Sequence, residues 1–383
     1  MTEKKYAWTV LQPTREVGPR IGVDKLENKT HSNNHTIQQY HHYTKQKKKI
    51  MLLMIIATLV LSVYGIQAGS AELTFSEIVR ALMGKGTIMT HAVVWQMRLP
   101  RILGALIAGA GLATAGCVMQ SNLRNPMASP TTLGITNAAA FGANIAIILF
   151  GAGSTHSSSA SAVAINNPYG VTVTALISAL AAMLIILTLA GMRGFSPESI
   201  ILSGVALGSL FTAGTMLIQY FADDIQVAAA VFWSFGDLGR VMWQEVAIMA
   251  VVVGLGIGYF YFRRWDYNAL NIGEDSAKNL GVNVEKIRLE GMLVASLMTA
   301  VTVSFMGIIG FVGLIAPQIV KRMIDGDHRY LIPMSAIMGA FILLLSDTIA
   351  RTLIAPVMMP VGAITSFLGA PLFLYLLIRR GSR

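Results

Sequence analysis

Two arginines three residues apart, Arg98 and Arg101 in R-L-P-R, stand at the mouth of an apolar run, and a third, Arg351, follows Asp347 by one helical turn. Guanidinium groups are permanent cations whose planar forks suit carboxylates and phosphates, so this spacing offers recognition of a negative partner. Asp347 and Arg351 lie at i and i+4 in the favourable acid-then-base order, which predicts a structural ion pair that holds Arg351 in place. On the residues alone, snorkelling anchors that end helices explain these arginines as well.

Catalytic spacings are absent from the sequence. No G-x-x-x-x-G-K-[ST] loop occurs, and "MGKGT" (Met83 to Thr87) lacks the leading glycine, so ATP hydrolysis is not expected on this chain. No H-E-x-x-H occurs. His31, His35, His41 and His42 stand in a polar tail, and His91, His156 and His328 are scattered, so no metal site and no cofactor are expected. The one cysteine, Cys117, lies in an apolar run and reads as a small buried hydrophobe.

The elements that must position the arginines are membrane helices. The 383 residues are 54% hydrophobic and 13% charged, against roughly 25% charged in an ordinary soluble domain, and mean hydropathy is +0.61. A spanning helix needs about 20 apolar residues. Such runs predict an all-α membrane protein of about ten transmembrane helices, near 50–67, 99–119, 131–151, 170–191, 199–221, 244–262, 286–306, 308–324, 331–350 and 361–379. An even number returns both termini to one side. Thirteen Lys/Arg then lie on that side against six on the other, so the positive-inside rule makes both termini cytoplasmic. Arg98, Arg101 and Arg351 fall outside. A guanidinium at the bilayer centre costs about 2.5 to 3.5 kcal/mol, so their heads are expected in interfacial water. Glu245 and Glu290, near span ends, are expected in interfacial or solvated positions.

Residues 1–49 form a separate basic tail, with ten Lys/Arg against four Asp/Glu, which leaves 19 against 15 for the membrane domain 50–383. The net charge of +10 is therefore mostly a tail property, and nucleic acid is not an expected partner. Ending in "KQKKK" (Lys45 to Lys49), the tail reads as a largely disordered cytoplasmic segment beside anionic lipid. The run 50–67 is expected to remain as a first helix.

Five further stretches have local meaning. "TFSE" (Thr74 to Glu77) is a capping-box pattern that opens a short amphipathic helix, and the Ser/Ala/Gly-rich 151–167 reads as a flexible outer loop. Ala105, Gly109 and Ala113 lay a smooth stripe that lets helices approach closely. In "GIIGFVGLIAP", glycines and Pro317 predict a short or bent span that is either a pathway wall or plain packing. In "RRWDYNALNIGEDSAKNLGVNVEK", Glu274 and Asp275 near the start, Lys278 near the end and Gly281 as C-cap predict a compact polar helix, with a solvated loop as the alternative.

From Arg98, "RLPRILGALIAGAGLATAGCVMQSNLRNPMASPTTLGI" resembles the signature of permease subunits of ABC importers for iron-siderophore complexes, haem and vitamin B12. "FWSFGDL" (Phe232 to Leu238), "LNIGEDSAKNLGV" (Leu270 to Val282), "GIIGFVGLIAPQIVK" (Gly307 to Lys321), "GDHRYLIP" (Gly326 to Pro333), "SDTIAR" (Ser346 to Arg351) and "PVGAITSFLGAPLF" (Pro360 to Phe373) follow in the family's order. The resemblance implies a type II importer permease fold of ten helices in a prokaryotic plasma membrane. It also implies a second permease subunit, identical or not, two ABC ATPase subunits, an extracellular substrate-binding protein and a metal-chelate substrate. By the same resemblance Arg98, Arg101 and Arg351 receive glutamates of the binding protein. The segment with Leu270, Gly273, Glu274, Asp275, Ala277, Leu280 and Gly281 forms coupling helices that seat on the ATPase, and Asn125 and Met127 of "NPM" belong to an inner gate. The sequence departs from the family at Gln318 and Lys321, where His and Arg are frequent, at Met359, where an acid is frequent, and at Asp237 in place of serine. An ion-coupled secondary transporter is the alternative of a different class.

Overall fold

The computed structural model describes residues 21–69, 73–152, 167–355 and 357–378, with the backbone alone for 21–42 and 377. Among the described residues every regular element is a helix. The outer loop expected over 151–167 and the last arginines, Arg379, Arg380 and Arg383, lie largely outside the described residues. The chain divides into two units, 1–50 and 51–383.

Every expected span coincides with a helix. Seven are long and apolar enough to cross a membrane: α1 (Ile21–Gln67, apolar from Ile50 on), α4 (Leu99–Asn122, continuous with what precedes it from Ile88), α6 (Pro168–Gly191), α7 (Pro197–Tyr220), α9 (Trp243–Phe262), α12 (Val284–Met306) and α14 (His328–Thr352). The other three are shorter: α5 (Ile135–Asn144, extended by a π turn to Leu149), α13 (Val312–Ile324) and α15 (Val361–Ile378). Connecting helices are α2 (Phe75–Leu82), α3 (Ile88–His91), α8 (Asp224–Ser234), α10 (Arg264–Ile272) and α11 (Glu274–Asn279). Ile21 to Lys49 fall within α1.

The bundle is built around α4. Of its apolar window 78% is buried, against 11% for α1 and 17% for α7, whose apolar side chains face outward as lipid-facing surfaces do. α14, α12, α13 and α9 all pack on α4. The small-residue stripe explains how close they come: a Cβ on Gly109 would lie 2.3 Å from the Gly339 carbonyl oxygen, and one on Gly116 would lie 1.8 Å from that of Gly313. Backbone therefore meets backbone, and a methyl has no room at either position.

Two irregularities shape the functional regions. Ahead of α4 the chain winds as a π turn over Ala92–Arg98, with the Leu99 amide donating to Val94. Pro100 has no amide to offer the preceding turn, and the wider turn absorbs that loss. Arg98 is thus inside a continuous helix rather than at its mouth. The second lies between α12 and α13, where Gly307 (φ 78°) and Phe311 (φ 64°) break the span as "GIIGFVGLIAP" predicts. The Phe232–Leu238 segment fills the break: the Asp237 amide donates to Met306 at 2.8 Å and the Gly362 amide to Phe235 at 3.1 Å. Broken backbone at this depth is satisfied by neighbouring backbone.

Candidate functional site

The antiparallel pair α4 and α14 defines two ends. Arg101 meets Asp347 at one end, and Ser121 meets His328 at the other. Twenty helical residues separate Arg101 from Ser121, about 30 Å.

At the first end the three predicted arginines converge. Asp347 is fully buried and divides its oxygens, accepting from Arg101 Nε at 2.8 Å and from Arg351 Nε at 2.9 Å. Arg351 also donates to the carbonyls of Ala68 (2.6 Å) and Gly65 (3.2 Å), and Arg98 donates to those of Ile66 (2.5 Å) and Gln67 (3.2 Å). These carbonyls close α1, whose last turn leaves them without helical donors and carries the negative end of the helix dipole. The arginines are thus C-caps of another helix. Their exposure of 6%, 8% and 6% for Arg98, Arg101 and Arg351 corrects the expectation of heads in open water. Asp347 is thus the carboxylate that two of the three clustered guanidiniums share. Arg101 Nη1 also approaches Met358 Sδ at 3.6 Å. The pair predicted between Asp347 and Arg351 is present, and sequence reasoning missed its second cation, Arg101, which lies 246 positions away in sequence.

Beside this end, Thr74 and Glu77 meet as predicted, with the Thr74 amide donating to the Glu77 carboxylate at 2.8 Å. Glu245, expected in an interfacial or solvated position, is buried at the start of its helix. It is 8% exposed, accepting from the Met242 amide at 2.9 Å and from the Tyr169 hydroxyl at 3.4 Å. As the third residue of α9 it caps its own helix, which fixes it inside the interface. Glu290 is half-buried and bonded to Tyr259 and Arg263.

At the opposite end the polar stretch forms two short helices, α10 and α11, hinged at Gly273 (φ 147°) and closed by Gly281 (φ 82°). Leu270 and Ala277 are buried with Ala269 and Val284, so they hold the pair together and do not face a partner. Gly273 and Glu274 are half-buried, while Asp275, Leu280 and Gly281 are exposed together with Ile272 and Lys278. Glu274 turns inward to the buried Arg288, which donates to it at 2.6 Å. In the sequence reading Arg288 is only one of the thirteen inner cations. Buried His328 links α14 to Asn268 of α10 and to Ser121 of α4.

Asp327, the N-cap of α14, accepts from the Arg329 side chain and amide and from Asn268. Burial works to raise its carboxyl, but the bonds from Arg329 and Asn268 outweigh it and hold it at about 2. A depressed acid stabilises the fold fully above its unfolded value of 3.8, and that stabilisation is lost as pH falls through about 2. The gap in Tm between the parent and Asp327→Asn is therefore expected to be widest near neutrality and to close toward pH 2; a gap that widens on acidification would reverse the assignment.

The loop after α4 carries Asn125 and Met127. Asn125 Oδ1 accepts from the Met127 amide at 2.9 Å, and Arg124 before it adopts φ 46°. Gln318, a departure from the family pattern, donates to Gln120 Oε1 at 2.6 Å and to the Pro126 carbonyl at 3.2 Å, pinning this loop to α13. Past the loop, two recesses share Thr131 and Thr132. One, of about 390 Å³, is lined among others by Ser129, Ser234, Phe235 and Ser366, and the other, of about 480 Å³, by Asn137, Ser209 and Thr212. No charged side chain lines either.

Residues 54–379 match the FecCD transport family. An ABC transporter permease protein of Methanocaldococcus jannaschii, whose name states no substrate, is 56% identical over 328 residues, covering 86% of this chain and 93% of that one. The hemin transport system permease of Yersinia pestis is 34% identical, covering 85% and 94%. The cobalamin import system permease of Halobacterium salinarum is 40% identical, covering 76% and 75%. A solved metal-chelate type ABC transporter in an inward-facing conformation superposes with a TM-score of 0.75 at 29% identity, covering 87% of this chain and 99% of that chain. An ordered set of motifs, an all-helical fold with seven helices of spanning length and these matches agree on one assignment: the chain belongs to the FecCD transport family, the permeases of ABC importers.

Proposed function

We propose that this chain is one of two permease subunits that move an intact metal chelate inward by alternating access, an iron-siderophore complex first and haem or a cobalamin second. Two ATPase subunits would seat on the α10–α11 face, and an acidic extracellular binding protein would dock on the arginine end. All ten helices then span, the short α5 and α13 under cover of their neighbours, and both termini lie in the cytoplasm, as the thirteen-to-six charge bias favours. Asn125 and Met127 serve as the inner gate.

One observation carries this reading. α4 bears R-L-P-R at one end and N-P-M just beyond the other, where the polar pair α10–α11 is tied to it through Arg288 and His328. A delivery site and a motor site on opposite ends of one helix suit a machine driven from outside the membrane domain. The alternative of ion coupling needs a free acid near the midplane, and both oxygens of buried Asp347 are already engaged by arginines. Docking on such arginines works through the positive charge of the clustered guanidiniums, which steers an acidic partner and fixes register.

The test is uptake of a ferric hydroxamate chelate into vesicles holding the complete transporter. Uptake is expected to need the binding protein outside and ATP inside, to survive ionophores, and to lose binding-protein stimulation several-fold as ionic strength rises from about 0.05 to about 0.5 M. Uptake by the chain without an ATPase, collapsing with the ion gradient, overturns the reading.

A further inference from the structure

Arg288 is among the largest fully buried side chains, at 2% exposure, and it uses all three guanidinium nitrogens. Nε donates to the carbonyl of Asn122 at 3.1 Å, Nη1 to that of Phe195 at 2.7 Å and Nη2 to Glu274 Oε1 at 2.6 Å. Each partner belongs to a different element. Asn122 is the last residue of α4, three residues before Asn125. Phe195 (φ 52°) lies in the link between α6 and α7, and Glu274 opens α11. Among the described residues, Glu274–Arg288 is the ion pair that joins α11 to a membrane helix.

We propose that Arg288 is the positioning residue that carries displacement of α11 to the inner loop after α4 and to the start of α7. The proposal rests on the reading of α10–α11 as the ATPase contact and names the side chain through which that contact acts. Two of its bonds end on backbone carbonyls, so motion passed through it moves main chain rather than a flexible side chain. The three donors leave a planar fork in fixed directions, a geometry that lysine, a point charge on a flexible stem, does not reproduce. Discrete polar struts between rigid helices are what carry coupling between sites this far apart.

The experiment uses the complete transporter in nanodiscs with Met127→Cys as reporter. Met127 is 49% exposed, whereas the native Cys117 is buried, so a maleimide reagent reads the reporter. The labelling rate is measured without nucleotide and with ATP and vanadate. The parent is expected to change by about fivefold or more between the two states, a typical allosteric factor, and Arg288→Lys and Glu274→Ala by less than about twofold. Glu274→Gln keeps an acceptor for Arg288 and is expected to retain the change. Because Glu274 is half-exposed, its two variants keep the test valid even where Arg288→Lys fails to fold. A full nucleotide response in Arg288→Lys or Glu274→Ala, with no more than a lowered Tm, overturns the proposal, and so does a parent whose rate ignores nucleotide. Protection of Lys278→Cys by the assembled ATPase separates the two claims: absent protection refutes the α10–α11 reading and the proposal with it, whereas protection with an unaltered Met127→Cys response in Arg288→Lys refutes the proposal alone.

Discussion

Asp347→Ala is expected to destabilise the protein by about 3 to 5 kcal/mol, the cost of breaking a buried ion pair from one side. Asp347 is fully buried and is the acid shared by two guanidiniums, Arg101 on α4 and Arg351 on its own helix. Without it Arg101 loses its carboxylate, and Arg351 keeps the carbonyls of Ala68 and Gly65 at the end of α1. Three guanidiniums only 6 to 8% exposed then lose the carboxylate that two of them share. A fall in Tm of roughly 10 °C follows for a domain of this size. Two companions test the cause. Asp347→Asn keeps the shape and loses the charge, and it should show most of the loss. Adding Arg101→Met to Asp347→Ala should recover part of it, since an apolar replacement of a buried pair is often near neutral. A double variant as unstable as the sum of the singles would mean that lost packing, and not stranded charge, sets the cost.

The same geometry changes what docking on this end requires. Exposed guanidiniums would offer an acidic partner about 0.2 to 1 kcal/mol per pair. Here each arginine already has a partner inside the chain, so an incoming carboxylate competes with the carbonyls of α1 or with Asp347. That competition links the partner to α1 and to the α4–α14 pair at once, because loosening one arginine alters the cap of one helix and the charge balance of another. Steering and register, rather than added affinity, are what such a cluster supplies.

Helices were legible in the sequence because apolar length is a one-dimensional signal; every run read as a span carries one. Where the reading strayed, the cause was long-range. The arginines of R-L-P-R were placed at a helix mouth because charge and proline ordinarily end a helix, and nothing local announces that α1 delivers its carbonyls to them. Glu245 looked like a surface acid until its own helix start claimed it. Leu270 and Ala277 lie in the motif that resembles a coupling segment, yet they are its core, a distinction that motif spacing does not encode. Arg288 was the costliest omission: a cation in a loop-like stretch resembles every other inner cation, and its three partners come from positions 122, 195 and 274. The break at Gly307 was legible from its glycines, but the segment 232–238 that fills it was not.

The exposed side of α11 gives the second large effect. Ile272 and Leu280, 72% and 66% exposed, are apolar side chains flanking a six-residue polar helix, with Asp275 and Lys278 between them. On an end that the proposed orientation places in the cytoplasm, such side chains are suited to fill pockets on another protein, and a buried anchor of this kind is worth 2 kcal/mol or more, at least about 30-fold in affinity. Leu280→Asp and Ile272→Asp are each expected to abolish co-purification of an ATPase subunit while leaving the Tm of the isolated permease within about 2 °C, since surface substitutions alter stability by about 0.5 kcal/mol or less. Leu270→Ala should do the reverse, costing about 2 to 5 kcal/mol of stability through a cavity under α11 and reaching the ATPase only through that loss. The contrast separates two faces of one short segment. If Leu280→Asp leaves the ATPase bound at wild-type stoichiometry, the motor seats on some other part of the inner surface.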